Sequence, residues 1–206
     1  MMSGKRAVRQ LRALEDCEVR AGMRLAAEDW DAEWKTLIAT IMSAQSRDET
    51  TISVAFKLFD KYDSIEKLAH AKYSDVLHVF GGLNYNKTKA RNVIGCAATL
   101  IKEYGGRIPH DFAKLTELLG VGRKTANVFL SEYGHDGLAV DTHVFYISKK
   151  LGWSDAKTRD GVEKDLCGLF PRNLWGRVNP ALVRFGKTHT SRKEKDKLLE
   201  EIQKIK

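Results

Sequence analysis

Apolar side chains recur every three or four residues along most of this chain, and that spacing limits the fold more than any other feature. Two of the apolar stripes are formed by Trp34, Leu37, Ile38, Ile41 and Met42, and by Ile52, Ala55, Phe56 and Phe59. Others lie within 90–104, 162–170, 174–185 and 192–205. This spacing is typical of helices that bury one face, and no stretch alternates as a half-buried strand does. With three prolines in 206 residues, the sequence predicts an all-α fold.

Glycine and polar residues interrupt the stripes at 80–89, 104–111, 120–123 and 133–137. Each interruption is short, as the connections between helices in compact folds usually are. A chain of 206 residues can bury a sizeable core, either as one large domain or as two small ones.

The charge balance narrows the class of partner. Lys and Arg outnumber Asp and Glu by 35 to 27, which gives a formal net charge of +8. This excess favours a polyanion such as nucleic acid, although each basic cluster also suits a solvated helix face. No apolar stretch reaches the roughly 18 residues that span a bilayer, and the N-terminal segment lacks the apolar run of a secretory signal. We therefore expect an intracellular protein, cytoplasmic or associated with the nucleoid, without membrane contact.

The chain contains three cysteines, Cys17, Cys96 and Cys167, which lie far apart and form no CxxC pair. A small, odd and widely spaced set argues against a disulfide framework and against a thiolate metal site. The sequence predicts that these side chains pack as small apolar groups and that no metal is bound.

The segment "LLGVGRKTANVFL" at 118–130 predicts a turn between two helices. Asp111 suits the N-cap of the first helix, and Gly120 stands where the C-terminus of that helix needs a left-handed residue. Val121 can anchor the turn, and Gly122 leaves room for a close approach to the backbone. The second helix is expected to begin within 123–125, so its first N–H groups would form a phosphate site that positions a nucleic-acid backbone.

Other glycine motifs do not fit these residues. A Walker loop needs glycine directly before its lysine, and Arg123 stands there; the later "GKT" at 186–188 would need glycine at Ala181. A dinucleotide fingerprint would need glycine or alanine at Thr125 and a preceding strand. By itself, the turn remains equally compatible with a purely structural connection between helices.

Read together, "LLGVGRKTANVFL" and "AVDTHVF" at 139–145 closely resemble the helix-hairpin-helix and catalytic-aspartate segments of endonuclease III. That family belongs to the helix-hairpin-helix DNA glycosylases. Upstream, "LIATIMSAQSRDETT" and "KTKARNVIGCAATLIKEYGGRIP" resemble the family segments that precede the hairpin. The resemblance covers roughly 30–186, with the motifs in the family's order.

The resemblance implies a two-lobed, all-helical fold. One lobe would be a six-helix barrel at 24–136 that contains the helix-hairpin-helix at about 112–133. The other would combine 1–23 with 137–206 and carry the catalytic aspartate. Double-stranded DNA with damaged bases or abasic sites would bind across the cleft between the lobes of a monomer, and the damaged base would be flipped out of the duplex.

The implied activity is that of a bifunctional DNA glycosylase and abasic-site lyase of base excision repair, acting on oxidised pyrimidines. Lys124 matches the family's nucleophile. An amine that attacks the sugar C1′ displaces the base and leaves an imine, from which β-elimination can cleave the strand. The first turn of a helix disfavours the ammonium form of lysine, whereas a nearby carboxylate stabilises it. The alternative role for Lys124 is a cation that contacts a phosphate.

Asp141 matches the family's catalytic aspartate. A carboxylate can take the proton of the lysine and can stabilise the positive charge that develops on the sugar as the base leaves. Asp141 also suits the N-cap of a helix that begins at about residue 142. The two roles are compatible.

Several further residues are expected at the DNA. Those of the hairpin are Gly120, Val121, Gly122, Arg123 and Thr125. Gln45 would fill the space left by the flipped base, with a plain polar turn residue as the alternative. Asp48 matches an acidic position of the family, or is a helix N-terminal charge. His143 would touch a phosphate near the site, or serves in capping or packing.

The sequence departs from the family pattern in two places. Close relatives carry four cysteines in a C-terminal iron-sulphur loop, whereas "FGKTHTSRKEKDKLLEEIQKIK" contains none, and Thr190 falls about where the first ligand would stand. We therefore expect no cluster, with a charged helix closing the lobe instead. The loop "GGLNYNKTKA" is about two residues longer than usual, so the wedge that enters the duplex is either Leu83, which the local pattern favours, or Tyr85. The alternative role is that of a buried apolar loop residue.

Three other functions remain open on the sequence. The chain could be a DNA-binding module that uses the hairpin without catalysis. It could be a glycosylase for another lesion, such as 8-oxoguanine or a mismatched base. It could also be an unrelated helical scaffold with a basic surface. The pair of Lys124 and Asp141 argues for the enzyme.

Overall fold

The structure, a computed structural model, describes residues 3–17 and 23–206. Within these residues the chain forms twelve α-helices and two 3₁₀ helices, with no β-strand. The α-helices are α1 (Gly4–Asp16), α2 (Glu33–Ser43), α3 (Asp48–Lys61), α4 (Ile65–Ala69), α5 (Tyr73–Val79), α6 (Asn86–Tyr104), α7 (Phe112–Glu117), α8 (Arg123–Glu132), α9 (Thr142–Leu151), α10 (Arg159–Leu169), α11 (Trp175–Thr188) and α12 (Arg192–Gln203). The 3₁₀ helices are Phe80–Gly82 and Arg172–Leu174. The predicted all-α fold is confirmed.

One compact unit comprises Arg24–Tyr133 and contains α2 to α8. In α2 every residue from Thr36 to Met42 is buried, because this helix packs against α3, α6 and α8. The stripe of α6 is likewise buried, through Ala90, Val93, Ala97 and Leu100. The core of the unit therefore follows the apolar periodicity of its helices.

Phe56 is an exception to the predicted stripe of α3. Its side chain is 54% exposed, whereas Ala55 and Phe59 on the same helix are buried. The ring lies against Trp30, with ring centroids 5.0 Å apart, and the guanidinium of Arg24 stands 5.5 Å from its centre. The buried face of α3 is formed instead by Thr51, Val54, Ala55, Leu58 and Phe59, so Phe56 lies at the edge of the core and makes an aromatic and cationic contact there.

The second unit comprises the described residues up to Met23 together with Gly134–Lys206, and contains α1 and α9 to α12. The division falls directly after Tyr133, just before the expected end of the barrel lobe at 136. The core of the second unit includes Leu11 and Leu14 from α1, Ile147 from α9 and Phe185 from α11, all fully or almost fully buried.

The C-terminal helix α12 closes this second core. Its Leu199 and Ile202 are buried. Two carbonyls near the end of α12 accept hydrogen bonds from Gln10 of α1, whose Nε2 donates to Ile202 O at 3.2 Å and to Gln203 O at 3.3 Å. Gln10 is fully buried and also accepts from the indole N–H of Trp153 at 2.7 Å. A buried amide satisfied on both sides fixes α12 against α1 more specifically than apolar contact alone.

None of the helices among residues 3–17 and 23–206 combines the length and apolarity needed to cross a membrane.

Candidate active site

The turn between α7 and α8 has a left-handed residue at Gly120, as predicted. However, α7 already ends at Glu117 with an extended Leu118 as its C-cap, so Gly120 lies within the turn and not at the C-terminus of the helix. The Asp111 carboxylate accepts from Lys114 N–H at 2.9 Å and caps α7. Gly120 adopts φ +85, and a Cβ built there would lie 2.7 Å from Cβ of Asn92. Glycine is therefore required at this position both by the backbone conformation and by the space available. Val121, 5% exposed, anchors the turn in the core.

α8 begins with Gly122 as its N-cap, at φ −92 and ψ 176. Gly122 is exposed, and a Cβ built on it would meet no atom within 4 Å. The first helical bond runs from Ala126 N–H to Gly122 O at 3.0 Å. The N–H groups of 123–125 are therefore those of the first turn, where the helix dipole favours an anion. The open space above Gly122 suits the close approach of a phosphate.

The side chains around this helix start differ in exposure. Arg123 and Lys124 are exposed, whereas Thr125 is buried. The guanidinium of Arg123 lies 4.9 Å from the centre of the Phe112 ring, which holds it beside α7. Lys124 is the second residue of α8 and stands directly after the glycine turn. The hairpin thus places the Lys124 amine in the first turn of α8, next to the open space at Gly122.

Asp141 caps α9, as the sequence indicates. Its Oδ1 accepts from Val144 N–H at 2.8 Å, and the residue is half-buried. A carboxylate has two oxygens and about four acceptor positions. The cap bond uses one of these positions.

His143, in the first turn of the same helix, packs on Gly186 of α11. A Cβ at Gly186 would collide with the imidazole ring, so glycine is what lets the ring approach the helix. The side chain is half-buried. This contact corresponds to the packing role foreseen for His143.

Gln45 lies in the turn between α2 and α3. It is exposed and adopts a left-handed conformation with φ +53. Its carbonyl accepts from Asn84 Nδ2 at 2.7 Å. Asp48 is the first residue of α3, and its Oδ1 accepts from Ala26 N–H at 3.3 Å. Asp48 thus occupies the helix N-terminal position given above as its alternative role, and it also connects α3 to the segment before α2.

The two candidate wedge residues in the loop before α6 differ in exposure. Leu83, which the local sequence pattern favours, is 5% exposed and belongs to the core of the first unit. Tyr85 is 65% exposed and has φ +55. Leu83 follows the 3₁₀ helix directly and is drawn inward, whereas the left-handed backbone turns Tyr85 outward. The placement favours Tyr85.

Lys89 was not among the residues selected from the sequence. It is 4% exposed, and its Nζ donates to Ser46 Oγ at 2.7 Å. Burial lowers the pKa of its ammonium to about 8. A signal was present, since Lys89 falls four residues before Val93, in phase with the buried stripe of α6. A lysine at a core position of a helix marks a candidate for a specific role.

The cysteines do not offer a cluster site. Cys96 lies in the core of the first unit, and Cys17 and Cys167 are half-buried in the second. Among the described residues, no three His, Cys, Asp or Glu side chains gather in a way that would hold a metal ion. A cluster with four thiolate ligands does not fit this donor set.

Residues 38–172 match the HhH-GPD superfamily base excision DNA repair protein family. Endonuclease III of Thermotoga maritima is 39% identical over 155 residues, which are 75% of this chain and 73% of that protein. The chain belongs to the endonuclease III family. Endonuclease III of Bacillus subtilis is 34% identical over 160 residues, 76% of this chain and 72% of that protein.

Solved structures agree with membership of the endonuclease III family. A trapped covalent intermediate of an endonuclease III with DNA superposes with a TM-score of 0.83 at 30% identity, covering 93% of this chain and 89% of that one. A thermostable thymine-DNA glycosylase has a TM-score of 0.77 at 17% identity, covering 92% and 89%, and shares the fold. The family resemblance read from the hairpin and "AVDTHVF" is confirmed.

Proposed function

We propose that this member of the endonuclease III family is a bifunctional DNA glycosylase and abasic-site lyase that removes oxidised pyrimidines from duplex DNA. The observation that carries the proposal is Lys124 at the start of α8, directly after the left-handed turn at Gly120. A phosphate-binding hairpin with a nucleophile at the helix start brings the amine to the DNA backbone that it must cleave.

Lys124 is the proposed nucleophile. Its neutral amine attacks the sugar C1′, and the base leaves with the electron pair of the glycosidic bond and takes up a proton. Opening of the sugar ring leaves an imine between Lys124 and C1′. Loss of a proton from C2′ then expels the 3′-phosphate, and water releases the lysine. The reaction needs no oxidant, reductant or metal ion.

Asp141 is the proposed proton acceptor for the Lys124 amine. The two residues belong to different compact units, one to Arg24–Tyr133 and the other to the unit with Gly134–Lys206. We propose that these units are the two lobes that the family resemblance implies. The cap bond to Val144 fixes the direction of the carboxylate, and fixed dipoles stabilise developing charge best.

The remaining DNA contacts are proposed from the backbone of the hairpin and from the exposure of two loop side chains. Gly120, Val121, Gly122, Arg123 and Thr125 are proposed to hold the phosphate backbone at the hairpin. Gln45 is proposed to fill the space of the flipped base, and Tyr85, rather than Leu83, to enter the duplex. Exposed side chains on left-handed backbone support these last two roles, because such strained positions concentrate at functional sites.

We further propose that this chain works without an iron-sulphur cluster, as an intracellular monomer. Three cysteines in the sequence are one fewer than a four-thiolate cluster requires. The α12 helix and its bonds to Gln10 support closure of the second unit by protein contacts alone.

A panel of duplexes tests the substrate assignment. Each would carry one thymine glycol, one 8-oxoguanine or one mismatched thymine, and base release and strand cleavage would be measured separately. We expect release and cleavage on the thymine glycol duplex. Release from only one of the other duplexes would assign a different lesion, and salt-sensitive binding without any release would mean a non-catalytic DNA-binding protein.

A further inference from the structure

The buried amine of Lys89 is bonded to the turn that carries Gln45. Lys89 lies on the core face of α6, and its Nζ donates to the hydroxyl of Ser46 at 2.7 Å. Ser46 directly follows Gln45, and Ser46 N–H itself closes the turn onto Ser43 O at 3.0 Å. The contact with Lys89 therefore fixes the turn from the core side, at the residue next to the exposed side chain of Gln45.

The same turn is also held from the loop that carries Tyr85. Asn84, which directly precedes Tyr85, donates from Nδ2 to the carbonyl of Gln45 at 2.7 Å. Gln45 and Tyr85 both have left-handed backbone, with φ +53 and +55. Such a conformation costs a non-glycine residue about 1 to 2 kcal/mol, and it persists only where the surroundings impose it. The bonds from Asn84 and Lys89 provide such surroundings.

An apolar residue would satisfy the packing at position 89 at lower cost. A buried ammonium loses its hydration, and a single hydroxyl is a weak replacement for water. The lowered pKa of Lys89, about 8, reflects that cost. Packing of α6 alone therefore does not explain a lysine here.

We propose that Lys89 is a positioning residue for base excision: through Ser46 it holds the Gln45 turn in register with the Tyr85 loop. The inference rests on the proposed function, because it assigns these two exposed side chains to the opened duplex. Lys89 touches neither the base nor the sugar. Its effect is on how well the two loops enter the DNA as one preformed unit.

The test uses Lys89→Met, which keeps the length of the buried stem and removes the donor, and Ser46→Ala, which removes the acceptor. Lys67→Met is the control, since it removes an exposed lysine charge from the same unit, where Lys67 pairs with Asp63 at 2.8 Å. Single-turnover rates would be measured for base release from a thymine glycol duplex and for cleavage of a preformed abasic site. Thermal unfolding would be followed in parallel.

We expect Lys89→Met and Ser46→Ala to slow base release by about 10- to 100-fold, the range that slight misplacement of a site produces. Cleavage at the preformed abasic site should fall much less, because no base has to be unstacked there. The double variant should release the base only slightly more slowly than either single variant, since both substitutions remove the same contact between Lys89 and Ser46. Lys67→Met should match the wild type in both reactions.

Equal losses in both reactions, tracking the fall in Tm, would show that Lys89 is only structural, and wild-type rates in Lys89→Met would also overturn the proposal. If Lys89→Met does not fold, Ser46→Ala decides by the same ratio of rates. A wild-type protein that neither releases the base nor cleaves the abasic site would overturn the proposed function itself. If the wild type performs both reactions and the variants keep its ratio of base-release rate to abasic-site cleavage rate, only the inference about Lys89 is overturned.

Discussion

Asp141 combines a structural and a proposed chemical role in one side chain. It caps α9 through Oδ1, and the same carboxylate is assigned to accept the proton of Lys124. The two roles can be separated because Asn and Asp are about equally good N-caps. Asn keeps the acceptor oxygen for Val144 N–H but cannot accept a proton at neutral pH.

Asp141→Asn is therefore expected to fold normally and to bind duplex DNA, while base release slows by about 100-fold or more, the usual contribution of a general base. Asp141→Ala should in addition lose about 1 kcal/mol of unfolding free energy with the cap. Urea unfolding, a salt-dependent binding titration and single-turnover kinetics would separate these effects. Loss of binding in Asp141→Asn, in parallel with activity, would instead assign the residue a structural role.

Tyr85 offers a second test at this scale. Its left-handed backbone costs folding stability, whereas its side chain is proposed to assist base release. In Tyr85→Gly, relief of the left-handed strain offsets the extra chain entropy of glycine, so unfolding free energy should stay within about 1 kcal/mol of the wild type. Base release should fall by about 10-fold, since a wedge offsets part of the few kcal/mol that flipping costs. Tyr73→Ala, at another exposed tyrosine of the same unit, is the control. Undiminished release in Tyr85→Gly would exclude the wedge role.

Residues whose roles are local could be predicted from the sequence. Gly120 and the caps Asp111 and Asp141 depend on backbone conformation within a few residues, and each has the predicted geometry. Leu83 and Lys89 could not be placed in this way. Their positions depend on contacts with the core and with Ser46, which lies 43 positions away in the chain.

At the scale of elements, α12 is attached to the second unit by polar contacts at both ends. Near its start, Lys195 Nζ donates to Gly186 O at 2.9 Å, close to the C-terminus of α11. Lys150 and Tyr146 of α9 both bind the carboxylate of Asp196. Near its end, Gln10 binds two of its carbonyls. The apolar stripe predicts that this helix exists, but not which partners orient it.

Gln10→Leu tests the account of α12. The substitution leaves the buried indole N–H of Trp153 without its acceptor, which costs about 1 to 3 kcal/mol. The carbonyls of Ile202 and Gln203 lose Gln10 but keep the donors Ile205 N–H and Arg6. We expect a fall in unfolding free energy, measured by urea denaturation, of about 1 to 3 kcal/mol. Gln203→Ala is the control, because only the backbone of Gln203 takes part. A loss no larger in Gln10→Leu than in Gln203→Ala would contradict this role of Gln10.

At the scale of the whole molecule, stability at alkaline pH depends on a buried thiol. Burial raises the pKa of Cys96 to about 12 from an ordinary value of 9.0. Above pH 9 the unfolded chain releases a proton that the folded chain retains, so unfolding becomes easier as pH rises towards 12. One titrating group changes the unfolding free energy by about 1.4 kcal/mol per pH unit.

Cys96→Ala should remove this contribution. Between pH 9 and 10.5, the unfolding free energy of the wild type should therefore fall more steeply than that of the variant. The difference should approach about 1.4 kcal/mol per pH unit in the upper part of that range. All other ionisable groups are the same in both proteins, so their contributions cancel in the comparison. Parallel curves would show that the thiol ionises as readily in the folded protein as in the unfolded chain.

The fold class and the family could be predicted for the whole molecule because they depend on repeated patterns, namely the apolar stripes and the ordered motifs of the hairpin and "AVDTHVF". Phe56 shows where the predicted stripe is wrong, since the buried face of α3 runs through Val54, Ala55, Leu58 and Phe59 and leaves Phe56 at its edge. The net charge of +8 is a property of the same scale. It favours DNA in general and carries no information on the lesion.

Borohydride trapping on a duplex with one thymine glycol tests the central claim most directly. The wild type, Lys124→Ala and Lys114→Ala would be compared, the last removing another exposed lysine of the same hairpin. The account predicts a covalent protein–DNA adduct in the wild type and in Lys114→Ala, and none in Lys124→Ala. Base release by the wild type without any adduct, or an adduct that survives in Lys124→Ala, would contradict Lys124 as the nucleophile.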